Sequence, residues 1–271
     1  LETAAGWLRA RGMKVMQGPF NLNINEETGA LIDGFASKPM LLMPHDLPYV
    51  ARNLEKLGFA KAKDVIAYLY DIREELPESV RRLLGRPLPP GITVRRMDMK
   101  NLAAEIKNVT SIFNDAWSQN WGFVPLTEAE TDYLSKSLKP LLHPRLTSLV
   151  ERDGEPVAFM IALPNLNEAI EGLNGKILPF GWAKLLWRLK VAGVKTARVP
   201  LMGVRRSAAK DMLGSLLPYL MIDMVRREGR QLGYTHIELS WILEDNLPMR
   251  RMIEGLKAAP YKTYRVFEAG L

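Results

Sequence analysis

Arg230-Gln-Leu-Gly233-Tyr-Thr-His-Ile, followed by Asn246-Leu-Pro-Met and then Tyr261-Lys-Thr-Tyr264-Arg-Val-Phe, decides the reading of this chain, because the same phrase occurs earlier. Near the start the chain reads Arg9-Ala-Arg-Gly12-Met-Lys-Val-Met, then Asp46-Leu-Pro-Tyr, then Leu57-Gly58-Phe59 and Val65-Ile-Ala-Tyr68-Leu-Tyr. Both passages spell helix, glycine, strand, Asx-Leu-Pro, helix, strand. A unit used twice predicts two related domains. The first copy carries an extra segment, Phe20 to Met40, rich in turn residues and read as a long loop of the kind that often carries function.

Outward from the repeats, hydrophobic periodicity predicts the elements. In the first part they are a helix over 1–12, a strand over 13–19, a helix over 47–57 and a strand over 63–71. Residues 73–91 change character and close on Arg86-Pro87-Leu-Pro89-Pro90-Gly91, a stiff connector where the domain boundary is expected. A strand at Ile92 follows. Helix 101–118 then puts Leu102, Ile106, Val109, Phe113 and Trp117 on one face. Thr127 to Glu130 reads as a capping box, and Asp153-Gly154 joins a hairpin. Two helices are expected over 165–191 and a strand over Arg198 to Val204. A long helix capped by Ser207 is expected to run to Arg230, bent at Pro218. Strand 235–242, helix 247–256 and strand 261–268 complete the chain.

Composition excludes several classes. The 271 residues contain no cysteine, so disulfides, thiolate metal sites and a cysteine nucleophile are excluded, and a reducing cytoplasm is expected. His45, His143 and His236 lie far apart with no ligand spacing, and no metal is expected. No apolar run reaches the roughly 18 residues of a membrane span. The net charge of +7 favours anionic partners, but no nucleic-acid-binding signature is present. The chain opens at Leu1 inside a helical pattern without an initiator Met, which predicts that residues upstream are missing. Phe180 to Lys190 is basic and Trp-rich; it suits an anionic membrane, a cover over an acyl tunnel, or packing between the halves, the last being the ordinary expectation.

The second part's order is strand, helix, helix, hairpin, insertion, strand, long helix, strand, helix, strand, and it resembles the GNAT (GCN5-related N-acetyltransferase) superfamily. Gly18-Pro-Phe-Asn21-Leu-Asn-Ile-Asn25-Glu-Glu, Asn120-Trp-Gly-Phe-Val-Pro and Ser240-Trp-Ile-Leu-Glu-Asp-Asn246-Leu-Pro-Met-Arg-Arg resemble, more narrowly, an uncharacterised bacterial family with tandem GNAT-like halves. The resemblance implies an α+β fold of two GNAT-like domains, each a mixed, mostly antiparallel sheet flanked by helices. An N-terminally truncated half would occupy 1–72, and the acyltransferase domain 92–271. It also implies acyl-CoA as co-substrate, its pantetheine lying along Met202, Gly203 and Val204 and its pyrophosphate near Lys210, Leu213 and Gly214. The superfamily's phosphate loop, Arg/Gln-x-x-Gly-x-Gly/Ala, matches Ala209 to Gly214 only at Gly214; Met212 and Asp211 depart from it, with Lys210, Arg205 and Arg206 as electrostatic compensation. The superfamily's tyrosine acid falls on Ile253, which leaves Tyr261 or Tyr264 to reach.

An acyl transfer also needs a base for the amine. His236, Glu238 and Ser240 alternate onto one strand face, with Glu238 beside His236 the first candidate; a charged pair on a solvated edge is the bland alternative. Glu244 and Asn246 follow that strand, where open sheets place ligands, though Asn246 is also a good helix cap. Asn21, Asn25 and Glu26 suit ligand recognition and Asx turns equally. Trp121 is a pocket candidate beside Trp117 and Phe123. The expected activity is transfer of an acyl group from acyl-CoA to a small-molecule or peptide amine. The alternatives are a different acyl or aminoacyl donor, or a non-catalytic binding protein on a degenerate GNAT fold.

Overall fold

A computed structural model describes residues 1–210 and 214–271, with the backbone alone at Lys190. The strands are β1 (Val15–Gly18), β2 (Ala30–Asp33), β3 (Ala60–Asp71), β4 (Ile92–Arg95), β5 (Thr147–Arg152), β6 (Glu155–Pro164), β7 (Thr196–Val204), β8 (His236–Leu243) and β9 (Ala259–Gly270). The helices are α1 (Glu2–Arg9), α2 (Tyr49–Lys56), α3 (Glu78–Leu84), α4 (Leu102–Ala116), α5 (Glu128–Leu138), α6 (Leu166–Ala169), α7 (Gly181–Trp187), α8 (Arg206–Ala209), α9 (Leu217–Gln231) and α10 (Leu247–Gly255). All strands join one sheet in the order β1-β9-β3-β8-β7-β6-β5-β4, with β2 also on β9. Pairing is antiparallel except between β7 and β8.

The repeats explain the left side of the sheet. The last strand of each copy, β3 and β9, is exchanged: β3 lies between β8 and β9, and β9 lies between β3 and β1. The order β1-β9-β3-β8 reads the same when the copies are interchanged. Aligning Leu57 with Leu256 matches Val65 to Tyr264, and these two residues are themselves partners in the ladder. A local two-fold relation therefore passes between β3 and β9. Each copy closes the other's sheet, which removes two exposed edges.

The faces of the sheet are covered according to side-chain alternation. On β6, Ala158, Met160 and Ala162 face the cluster containing Met221, Ile222 and Val225 of α9. Phe159, Ile161 and Leu163 face Val109, Ile112 and Phe113 of α4 on the other side. A third cluster joins Ile24, Leu31, Met40 and Met43 of the first copy to Val65, Trp241 and Tyr264.

Three local expectations differ from the fold. The stretch from Phe20 to Met40 contains β2, because Ala30 and Leu31 are apolar and fully buried against β9. The connector 73–91 holds the helix α3, with Val80 buried. The long helix from Ser207 is two helices: Ser207 lies inside α8, and Pro218 sits in the first turn of α9 rather than at a bend. A proline loses nothing there, since its missing N–H would have no partner in a first turn.

Candidate active site

The parallel pair β7 and β8 runs in register from Thr196↔His236 to Val199↔Leu239 and then separates. Pro200 stands at the divergence and has no N–H to offer a neighbouring strand. Between the parted strands lies a narrow cleft of about 80 Å³, lined by Val199, Pro200 and Met202, by Ser240 to Leu243, and closed by Trp117 and Ile253. Trp117 packs edge-on against Trp241 at 5.5 Å, and its Nε1 donates to the Met202 carbonyl at 3.1 Å.

Below the divergence sits a buried charged cluster. Glu238 is wholly buried and accepts short hydrogen bonds from the Ser240 hydroxyl on one oxygen and the Tyr261 hydroxyl on the other. Arg198, on β7, points its Nε at the Ser240 hydroxyl (2.8 Å) and lies 3.5 Å from Glu238 Oε1. Its Nη2 donates to the Ser240 carbonyl at 3.3 Å, and the first copy supplies further acceptors. Arg198 donates to the carbonyls of Leu41 (2.9 Å) and Leu42 (3.2 Å), and the buried Lys262 ammonium donates to the Lys38 carbonyl at 2.6 Å. The loop lies close over β9 because of Gly34, at φ +88°: a Cβ there would fall 2.3 Å from the Tyr261 carbonyl.

Burial weakens both cations' hold on their protons, although Glu238 opposes this. The same burial, with Glu238 adjacent, pushes the Tyr261 and Tyr264 hydroxyls well above the ordinary tyrosine range. Tyr261 therefore holds its proton and hands its hydrogen bond to the carboxylate. Tyr264 is fully buried, and its hydroxyl has no partner.

Two cavities flank the cluster. An open one of about 780 Å³ is lined by Tyr261, His236 and Thr196 with Met40, Asn167 and Ile170. On the other side, Arg198, Asn25 and Glu26 form the polar end of a narrow channel that shares Trp117, Pro200 and Trp241 with the cleft. The channel continues along Phe113, Leu126, Leu134, Leu138 and Leu201 into an almost wholly apolar pocket beneath α4 and α5. Burial, reinforced by Glu130 and Glu27, raises the Glu26 carboxyl above its ordinary value at that mouth.

The residues singled out in the sequence fall into distinct places. His236 and Glu238 share a strand face, but His236 turns to Thr235 and lies 3.7 Å from Asp71. Met202 lines the cleft, while Gly203 faces Phe159 and Val204 pairs with Ala158. Lys210 is exposed after α8. Gly214 lies so near α8 that a Cβ would meet the Ala208 carbonyl at 2.4 Å. Leu213, Met212 and Asp211 lie outside the described residues. Arg205 bonds to Pro156 and Ser111, and Arg206 to Asp115.

Asn246 caps α10 and also lines the cleft. Glu244 accepts from the Asp64 N–H and pairs with Lys61 at 2.5 Å. Asn21 takes part in the turn through its backbone, and Asn25 donates to the Val124 carbonyl at 2.9 Å while its own side-chain oxygen is buried without a partner. Trp121 packs on the third cluster below Lys63. Sequence reading passed over Arg198 and Lys262; Arg198 had a signal, a single cation inside the largely apolar β7, whereas Lys262 shares β9 with Arg265 and Glu268 and had none.

No model of a known protein family matches the chain. Among solved structures, a GCN5-related N-acetyltransferase from Sphaerobacter thermophilus has TM-score 0.55 at 13% identity, covering 99% of this chain and 66% of that one. A tandem GNAT protein from the clavulanic acid biosynthesis pathway has TM-score 0.52 at 14% identity, covering 99% and 67%. These likenesses establish a GNAT fold. Among curated proteins, the bacterial ceramide synthase of Caulobacter vibrioides is 50% identical over 270 residues, all of this chain and 70% of its own length. Protein YghO of Escherichia coli is 42% identical over 265 residues, 98% of this chain and 68% of its own length. The chain thus has a GNAT fold and belongs to the family that contains the Caulobacter bacterial ceramide synthase and YghO.

Proposed function

We propose that this protein is an N-acyltransferase that moves a long-chain acyl group from acyl-CoA to the primary amine of a sphingoid-type base. The observation that carries the proposal is the divergence of β7 and β8 directly beside a buried, hydrogen-bonded carboxylate. Pantetheine enters the cleft along Val199 to Met202. The thioester sits near Ser240 and Trp241, and the acyl tail continues past Trp117 into the apolar channel under α4 and α5. The acceptor approaches from the open cavity at Tyr261. The name of the Caulobacter relative supports the acceptor class, since a ceramide is the amide of a fatty acid and a sphingoid base. The lack of cysteine supports a cytoplasmic location.

In the reaction the amine nitrogen attacks the thioester carbonyl, the C–N bond forms, and the C–S bond breaks. The nitrogen's proton passes through the Tyr261 hydroxyl to Glu238 and from there returns to the departing thiolate, leaving amide and CoA. Arg198, 3.5 Å from Glu238 Oε1 and bonded to the Ser240 hydroxyl, positions the carboxylate that takes the proton. Trp117, Ile253 and the α4–α5 channel exclude water from the thioester.

Calorimetric titration with acyl-CoAs of increasing chain length tests the donor. Saturable binding that tightens with chain length is expected, and Leu134→Trp should remove the dependence on length by filling the channel. The absence of binding to every CoA species would overturn the donor assignment. A different acyl donor is the second reading. It is favoured by the Trp117 hydrogen bond that already occupies the Met202 carbonyl, and by the sequence departure at Asp211 and Met212.

A further inference from the structure

The insertion between β6 and β7 is apolar on two faces. Leu185 and Leu189 turn inward and are half-buried. Outward, Leu178 (79% exposed), Phe180 (76%), Trp182 (49%), Leu186 (50%), Trp187 (56%) and Val191 (72%) are open to solvent. Trp182 and Leu186 stand four residues apart, as do Trp187 and Val191, so each pair forms a row on the helical surface. A folded monomer rarely concentrates such side chains on one short segment without a partner.

Charge identifies the partner. From Gly172 to Lys210 the chain contains no aspartate or glutamate. Lys176, Lys184, Arg188, Lys190 and Lys195 fall within the insertion, and Lys176 and Lys184 are exposed beside the apolar rows. Aromatic and aliphatic side chains flanked by cations on a short helix fit the interface of an anionic bilayer, where the rings sit among headgroups and the lysines meet phosphates. No helix among the described residues is long and apolar enough to cross a membrane, so the fit is to the surface.

The position of the insertion gives the contact a consequence. Arg188 ties the helix to the end of α6 through the carbonyls of Ala169 (2.8 Å) and Glu171 (2.5 Å). Ile170 and Glu171 are themselves on the rim of the open cavity that reaches Tyr261. We infer that residues 177–191 dock on an anionic lipid bilayer and bring the mouth of that cavity to the membrane surface. The inference is independent of the proposed reaction, since docking is read without turnover.

Flotation of the 271-residue chain with vesicles tests it. Partition onto phosphatidylcholine vesicles containing phosphatidylglycerol should exceed partition onto phosphatidylcholine alone. Combined Phe180→Ser, Trp182→Ser and Trp187→Ser should lower partition about tenfold or more at an unchanged unfolding temperature. Combined Lys176→Glu and Lys184→Glu should remove the preference for phosphatidylglycerol, and this pair carries the test alone if the triple variant fails to fold. The inference is overturned if the wild-type chain stays unbound with both compositions, or if the serine variant binds as the wild type does. It is equally overturned if sedimentation finds a wild-type dimer that the serine substitutions break, because a second copy would then cover the face.

Discussion

The two copies of the repeat share one plan and perform opposite tasks. In the second copy, β8 puts Glu238 and Ser240 into the interior and Asn246 caps its own helix through the Met249 N–H at 3.3 Å. In the first copy, the corresponding Asx, Asp46, leaves its helix uncapped and accepts the Leu31 N–H at 3.0 Å, holding β2 in place. The segment inserted there and the two residues that follow it deliver the carbonyls of Lys38, Leu41 and Leu42 to the buried cations of the site. One copy thus retains the polar strand, and the other closes over it. The comparison teaches that a duplicated unit can become a lid by lengthening one loop, while the exchanged strands β3 and β9 keep both copies in one sheet.

The largest effect expected from breaking this asymmetry is on turnover. Glu238→Gln keeps the volume and removes the proton acceptor, so the rate of amide formation should fall roughly 10²–10⁴-fold with little change in acyl-CoA binding. Tyr261→Phe should lower the rate less, and single-turnover measurements separate the two effects. Next is Arg198→Leu, which leaves Glu238 buried without its cation. It should cost about 3–5 kcal/mol of stability, measured by urea unfolding. If it costs little, the first copy's carbonyls are not needed to hold the cluster.

A smaller effect should distinguish the two Asx residues. Asn246→Ala should cost about 1 kcal/mol, as a lost cap does, without disturbing the loop. Asp46→Ala should cost about 1–3 kcal/mol, since a charge-assisted bond is lost and a strand N–H is orphaned. It should also raise hydrogen exchange through residues 30–43, which Asn246→Ala should not.

The smallest expected effect lies at the seam between the copies. Burial disfavours the charged form of Asp64, but Arg265 (2.7 and 2.9 Å) and Lys61 (3.0 Å) together hold its carboxyl below its ordinary 3.8. The folded form therefore binds this proton more weakly than the unfolded chain does. The contribution is fully present above the ordinary aspartate value and is lost as pH falls through the lower folded value. Asp64→Asn should flatten the acid limb of the stability curve below about pH 4 and leave its shape at neutral pH unchanged.

Much of this was legible in the sequence. The repeat, the hairpin at Asp153-Gly154, the capping box at Thr127 and the alternation of His236, Glu238 and Ser240 are local patterns, and local patterns fix elements and faces. Asn246 was readable as a cap for the same reason. The strand exchange was not legible, because β3 and β9 look the same whichever neighbour they choose. Nor was the lid: Lys38, Leu41 and Leu42 contribute carbonyls, which every residue has. Tyr261 and Tyr264 were equally plausible by spacing. Only the fold directs one hydroxyl to Glu238 at an open cavity and leaves the other buried without a partner.

The most direct measurement is a mass-spectrometric assay of the purified protein with a long-chain acyl-CoA and a sphingoid base, run beside Glu238→Gln. The account predicts accumulation of the N-acyl product with the wild-type chain and its loss in a variant that still binds acyl-CoA and unfolds at a similar temperature. Equal product from both proteins would contradict the role of the buried carboxylate. No product from a wild-type chain that binds both substrates would contradict the proposed reaction itself.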